Sequence, residues 1–131
     1  MTVFWLLLGW LLAVPYVAFG WRLPRDRGLA WWSAGLVTAA SVYVVLALLD
    51  VRLGHAALEA SGVVTFGGTA LWAARQRLGW MLALAWALHP AWDLGVHLGL
   101  GIGAPAWYVW ACLSFDVITG GAIWLWSRRV G

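Results

Sequence analysis

Residues 85–97 read AWALHPAWDLGVH and place two histidines and a carboxylate inside an otherwise apolar helical stretch. On an α-helix, residues i and i+4 lie on one face a turn apart, so His89, Asp93 and His97 form a slowly drifting stripe. Ionisable groups at membrane depth are costly, and they usually face a partner, a ligand or a water path. The stretch therefore predicts a polar site inside a membrane protein.

The composition predicts a single transmembrane domain over residues 1–131. Of the 131 residues, 64% are hydrophobic and only 10% are charged, whereas a soluble domain carries about 25% charged residues. Several apolar runs approach the roughly 20 residues that cross the hydrocarbon core of a bilayer. We predict an all-α polytopic transmembrane helical bundle with five spans, over about residues 3–20, 29–49, 55–74, 78–98 and 106–126.

The basic residues predict the orientation of the spans. All eight are arginines, and seven of them follow spans one, three and five. The positive-inside rule makes those segments cytoplasmic, so we expect the N-terminus outside and the C-terminus inside. Only Arg52 opposes this orientation. Because the first basic residue, Arg22, follows the first apolar run, we expect a membrane span there and not a cleavable signal peptide.

The same arginines lie in short loops, so we expect no nucleic-acid partner. Arginine without lysine, beside much alanine, glycine and tryptophan, is typical of GC-rich coding and hints at a bacterial source. We therefore predict a multi-pass protein of the inner (cytoplasmic) membrane, in contact with the lipid bilayer.

With this topology, the ionisable groups of spans three, four and five converge in the outer half of the membrane. All three histidines fall there, and so do Glu59, Asp93 and Asp116. His55 and Glu59 repeat the i, i+4 spacing on span three. Apart from Arg52 at the rim, no arginine is predicted at this depth. The carboxylates must then be protonated, hydrogen-bonded to histidine, metal-bound or hydrated.

Two or three histidines with a carboxylate suit Zn²⁺ or another first-row divalent metal better than Ca²⁺ or Mg²⁺. The predicted ligands are His89, Asp93 and His97, with Asp116 as a further ligand or as the group that orients an imidazole. His89 and His97 are about 12 Å apart along a straight helix, so both reach one ion only if the helix bends at Pro90.

A metal-bound water would make the site a candidate hydrolase for a lipid-like substrate. Glu59 or Asp116 would then act as the general base. The other candidate site residues are His55, Trp86 and Trp92, although an interfacial role for the histidine and packing for the two tryptophans are the simpler interpretations.

Two other classes of function stay open. Asp93, Asp116 and His89 are also suited to proton or ion movement without a fixed metal, which in a chain of five spans requires a homo-oligomer. Alternatively, the polar cluster only holds helices together in a subunit of a membrane assembly.

Residues 88–97, with Cys112 and Asp116 on the next predicted helix, resemble a family of small bacterial membrane proteins classed as a domain of unknown function. That family has a Leu-His-x-x-Trp-Asp-x-x-His-His core, and Val96 stands here in place of its first paired histidine. The resemblance covers roughly the C-terminal half and implies that these positions form a group. A weaker similarity, by analogy only, is to membrane-embedded zinc hydrolases of the alkaline ceramidase and adiponectin-receptor type.

Overall fold

The computed structural model describes residues 1–101 and 104–130, and this part of the chain is helical and contains no strand. The helices are α1 (Thr2–Arg22), α2 (Arg25–Leu49), α3 (Leu53–Gly62), α4 (Gly68–Arg75), α5 (Gly79–Asp93) and α6 (Ala106–Val130). Two π-helical segments, Val63–Gly67 and Leu94–Gly99, join α3 to α4 and extend α5. The all-helical prediction is confirmed. Positions 102 and 103, between the predicted spans 78–98 and 106–126, and position 131 lie outside the described residues.

Three of the helices are long and apolar enough to cross a membrane. They are α1, α2 and α6, with 21, 25 and 25 residues. This indicates a membrane protein. The helical rods over residues 53–75 and 79–99 are each about 30 Å long, close to the thickness of the hydrocarbon core, which is also about 30 Å. Five spans therefore fit the lengths of the rods, and the count stays a prediction.

The third rod is continuous through its two adjacent glycines. Gly67 and Gly68 both have helical backbone angles, with φ of −65° and −60°. The rod changes only in the width of its turns, because Val63–Gly67 is π-helical. Such wide single turns inside α-helices occur frequently at functional sites, and this one begins four residues after Glu59.

The helices do not pack in chain order. Helix α6 lies between α1 and α5, whereas α2 packs against the rod over residues 53–75 and touches α1 much less. Gly9 explains how α1 approaches α6, since a Cβ atom there would lie 1.9 Å from the Ala111 carbonyl oxygen. The Ser114 hydroxyl also donates a hydrogen bond to the Leu6 carbonyl oxygen at 2.7 Å.

The loops that the sequence assigns to one side of the membrane lie at the same end of the bundle. Arg77, after α4, forms an ion pair of 3.0 Å with Asp26 at the start of α2. Arg25 donates a further hydrogen bond to the Arg77 carbonyl oxygen at 3.3 Å. The side of the membrane that this end faces stays a prediction.

Candidate metal centre

Helices α5 and α6 bring together three ionisable side chains at the centre of the bundle. His89 and Asp93 lie one turn apart on α5, and Asp116 lies opposite them on α6. Their exposed fractions are 1%, 0% and 1%. The two helices approach closely because Gly120 has no side chain, and a Cβ atom there would lie 3.0 Å from the Ala83 carbonyl oxygen.

The two carboxylates converge on one nitrogen of the imidazole. His89 Nδ1 lies 2.8 Å from Asp116 Oδ2 and 3.9 Å from Asp93 Oδ2. One potential ligand atom from each of the three residues lies within 4.8 Å of the other two. The group is therefore able to hold a metal ion, and the roles of His89 and Asp93 as ligands stay a prediction.

Asp93 is the least satisfied member of the group. Neither of its carboxylate oxygens makes a hydrogen bond of good geometry among the described residues, although the Tyr43 hydroxyl lies within reach, and Asp116 Oδ1 has no hydrogen-bond partner there. Removing a carboxylate from water without a compensating partner costs several kcal/mol. A bound cation or a proton would offset that cost.

A second polar pair lies beside the three-residue group. Glu59 Oε1 is 3.6 Å from His97 Nε2, and the Trp92 indole donates a hydrogen bond to Glu59 Oε2 at 3.4 Å. Glu59 and His97 are only 2% and 3% exposed. Glu59 also interacts electrostatically with His89 and Asp93, so the pair and the group share one environment.

The structure thus groups the predicted ligands differently from the sequence pattern. His97 lies next to Glu59, and Asp116 takes the third position of the group around His89. The reason is that α6 packs directly against α5, which brings Asp116 to His89. His97 lies beyond Asp93 in the π-helical segment Leu94–Gly99 and contacts Glu59 on α3.

The remaining candidates lie at the edges of the cluster. His55 is half-buried on α3, and its Nδ1 has no hydrogen-bond partner among the described residues. Trp86 is buried, and its indole donates a hydrogen bond to the Trp32 carbonyl oxygen at 2.9 Å. This contact between α5 and α2 satisfies the indole N–H and assigns Trp86 a packing role. Cys112 is half-buried on α6.

Sequence reasoning missed Tyr43 on α2. Its ring stacks on the His97 imidazole with centroids 4.2 Å apart, and it is 2% exposed. Its hydroxyl lies within hydrogen-bonding reach of Asp93 and Cys112, so Tyr43 contacts both the group around His89 and the pair of Glu59 and His97. The sequence pointed to Tyr43 only through the presence of one phenol in the otherwise apolar second half of α2.

Comparisons of the chain with protein-family models, with curated proteins and with solved structures found no match. The resemblance of residues 88–97 to a family of bacterial membrane proteins therefore stays a prediction. Fold and geometry together indicate an all-helical membrane protein with a buried His/Asp/Asp group that is able to hold a metal ion.

Proposed function

We propose that this chain is a five-span protein of the inner membrane that binds one divalent transition metal through His89, Asp93 and Asp116. The observation that carries the proposal is the convergence of two fully buried carboxylates, Asp93 and Asp116, on the His89 imidazole, with no arginine among their partners in the described residues. A divalent cation between the two carboxylates and His89 compensates both negative charges at once.

The donor set favours a first-row metal. One imidazole and two carboxylates supply nitrogen and oxygen ligands, which suit Zn²⁺, and the same set also accepts Fe²⁺ or Mn²⁺. Three protein ligands leave a position for water or substrate, as in catalytic zinc sites. In this arrangement His97, which was predicted as a ligand, contacts Glu59 and does not bind the ion.

The finer proposal is hydrolysis of a lipid-like substrate at this site. Glu59 is the candidate general base because it is buried, lies outside the three-ligand group and interacts electrostatically with His89 and Asp93. In ester hydrolysis the water oxygen would bond to the acyl carbon while the base takes the water proton. The bond between the acyl carbon and the alkoxy oxygen would then break, and the base would return the proton to that oxygen, so that the alcohol leaves.

Metal analysis of the purified protein tests the proposal. Protein prepared without chelator is expected to carry close to one metal ion per chain, as measured by mass spectrometry of the element. His89→Ala and Asp93→Ala should each lose it. Asp50→Ala is the matched control, because Asp50 is exposed in the loop between α2 and α3. Metal-free wild-type protein, or equal metal in all four samples, would overturn the metal centre.

A second function, proton or ion movement, is favoured by one observation. The group around His89 and the pair of Glu59 and His97 form a buried succession of titratable side chains from α6 to α3. If the protein is metal-free, proton flux into liposomes is the measurement, and Asp93→Asn should abolish it. If flux is absent too, the cluster only holds helices together, and its variants should change stability alone.

A further inference from the structure

Two adjoining cavities form a cleft between α1 and α2, with α6 as its floor. The larger has a volume of about 420 Å³ and extends along α2 from Trp31 to Val42. The smaller has a volume of about 200 Å³ and lies between α1 and the first half of α6. Both are lined by Ala39, Tyr108 and Phe115, so they are parts of one cleft.

One end of the cleft is closed by reciprocal hydrogen bonds between α1 and α2. The Tyr16 hydroxyl donates to the Trp31 carbonyl oxygen at 3.2 Å, and the Trp31 indole donates to the Tyr16 carbonyl oxygen at 3.3 Å. Their rings stack with centroids 5.0 Å apart. From this closed end to Val42 the wall of α2 is about 16 Å long.

Part-way along the cleft, next to Phe115, the floor reaches the candidate metal centre. Asp116 lines the smaller cavity, is 1% exposed, and has an Oδ1 atom without a hydrogen-bond partner among the described residues. Its second oxygen contacts His89 at 2.8 Å. The cleft thus connects an apolar wall with a buried acceptor that belongs to the metal-binding group.

The cleft opens sideways toward the surface that faces lipid. Ala34 and Thr38 line the larger cavity on α2 and are both exposed. Since a methylene group takes up roughly the volume of one water molecule, about 30 Å³, the larger cavity of about 420 Å³ holds roughly 14 methylene groups. This is one hydrocarbon chain and not the two chains of a phospholipid.

We propose that the cleft binds the hydrocarbon chain of a single-chain amphiphile whose head carries a hydroxyl group, such as a monoacylglycerol. A carboxylate only accepts hydrogen bonds, so a hydroxyl in the head satisfies Asp116 Oδ1. The hydrocarbon chain then passes Phe115 and Ala39 and lies in the larger cavity, along α2 between Trp31 and Val42. This inference rests on the proposed function, because it names the substrate class of the same site.

Photolabelling of the intact protein tests the inference. The probe is a monoacylglycerol with a chain of about 14 carbons that carries a diazirine in mid-chain, and labelled residues are mapped by mass spectrometry. Labels are expected on residues 34–42 and 108–116. Unlabelled monoacylglycerol should compete about tenfold better than the methyl ester of the same acid, since the ester lacks a hydrogen-bond donor for the carboxylate.

Filling the cleft provides the matched variants. Ala39→Trp and Leu12→Trp place bulk in the two cavities and should each reduce the competed labelling at least tenfold, so one variant that fails to fold does not decide the test. Ala18→Trp is the control, because Ala18 is exposed on α1 and lies outside both cavities. Labels spread over exposed residues such as Leu7 and Leu11 would overturn the inference. Equal labelling of the cleft by a two-chain phosphatidylcholine probe would do so as well.

Metal content measured on the same samples separates the two proposals. Competed labelling of the cleft in metal-free protein would overturn the metal centre and leave the amphiphile site. Stoichiometric metal without competed labelling would overturn the amphiphile site and leave the metal centre.

Discussion

Glu59 Oε1 on α3 lies 3.6 Å from His97 Nε2 in the segment Leu94–Gly99, and both side chains are almost fully buried. Neither belongs to the group formed by His89, Asp93 and Asp116. The polar interior therefore has two parts, a group that is suited to a metal and a pair that is suited to proton transfer. The two parts are expected to respond differently to mutation.

Glu59→Gln should lower hydrolytic activity without lowering metal content, which would distinguish the role of the pair from that of the group. If Glu59 is the general base, hydrolysis of a lipid-like ester should fall by about 10² to 10⁴ while the metal content stays near that of the wild type. Asp50→Asn, at an exposed position, is the control. Ester hydrolysis rates and metal analysis of the same samples make the comparison, and simultaneous loss of metal would show that Glu59 is needed to hold the ion.

Asp93→Asn should abolish most of the stabilisation that added metal gives to the folded protein. A ligand that binds only the folded state stabilises it by about 2.7 kcal/mol at 100 times its Kd, so added Zn²⁺ should raise the unfolding midpoint of the wild type. The asparagine variant lacks the negatively charged ligand and should show a much smaller rise. The midpoint is followed in detergent by tryptophan fluorescence, and an equal rise in both proteins would contradict the assignment of Asp93 as a ligand.

Tyr43→Phe and Tyr43→Ala should differ strongly. The phenylalanine variant keeps a ring on His97 and loses only the hydroxyl, which lies within hydrogen-bonding reach of Asp93, so the free energy of unfolding should fall by about 1 kcal/mol. The alanine variant loses the ring and should be destabilised by about 3–5 kcal/mol, as large core truncations are. Denaturant unfolding measures both, and a phenylalanine variant as destabilised as the alanine variant would show that the hydroxyl matters more than the ring.

Gly9→Ala should push α1 away from α6. The added methyl group would lie 1.9 Å from the Ala111 carbonyl oxygen and 2.3 Å from Ser114 Oγ. Gly121→Ala is the matched control, because a Cβ atom there meets nothing within 4 Å. The control should gain roughly 0.5–1 kcal/mol from helix propensity, whereas the first variant should lower the thermal midpoint. Equal midpoints would show that α1 is free to shift.

Single cysteines should report the orientation of the bundle. Cys112→Ala removes the only native thiol, after which Asp26→Cys and Asp50→Cys place one cysteine at each end of α2, both at exposed positions. With the N-terminus outside, a membrane-impermeant maleimide added to cells should label position 50 and spare position 26. The reverse pattern would invert the predicted topology without affecting the site.

The sequence was sufficient for the helices because each apolar run ends at arginine, glycine or aspartate. The predicted spans 29–49 and 55–74 differ from the helical rods 25–49 and 53–75 by a few residues at their ends. His89 and Asp93 were predictable together because the i, i+4 rule holds along α5.

The composition of the group was not predictable from spacing alone. Asp116 contacts His89 because α6 packs on α5, and a contact between helices leaves no mark at a fixed distance along the chain. The direction of His97 depends on a π-helical turn, where i, i+4 no longer defines a face. Tyr43 lies on α2, which no polar pattern had connected to the site.

The π-helical segments also affect how related chains should be sought. Each holds one residue more than an α-helical turn needs, so removal of one residue within 94–99 would restore an α-helix and rotate the residues after it by about 100°. Relatives are therefore expected to differ by single insertions or deletions at 63–67 and 94–99. A search pattern with fixed spacing between His89 and His97 would miss them, whereas one that lets this spacing vary by a residue would find them.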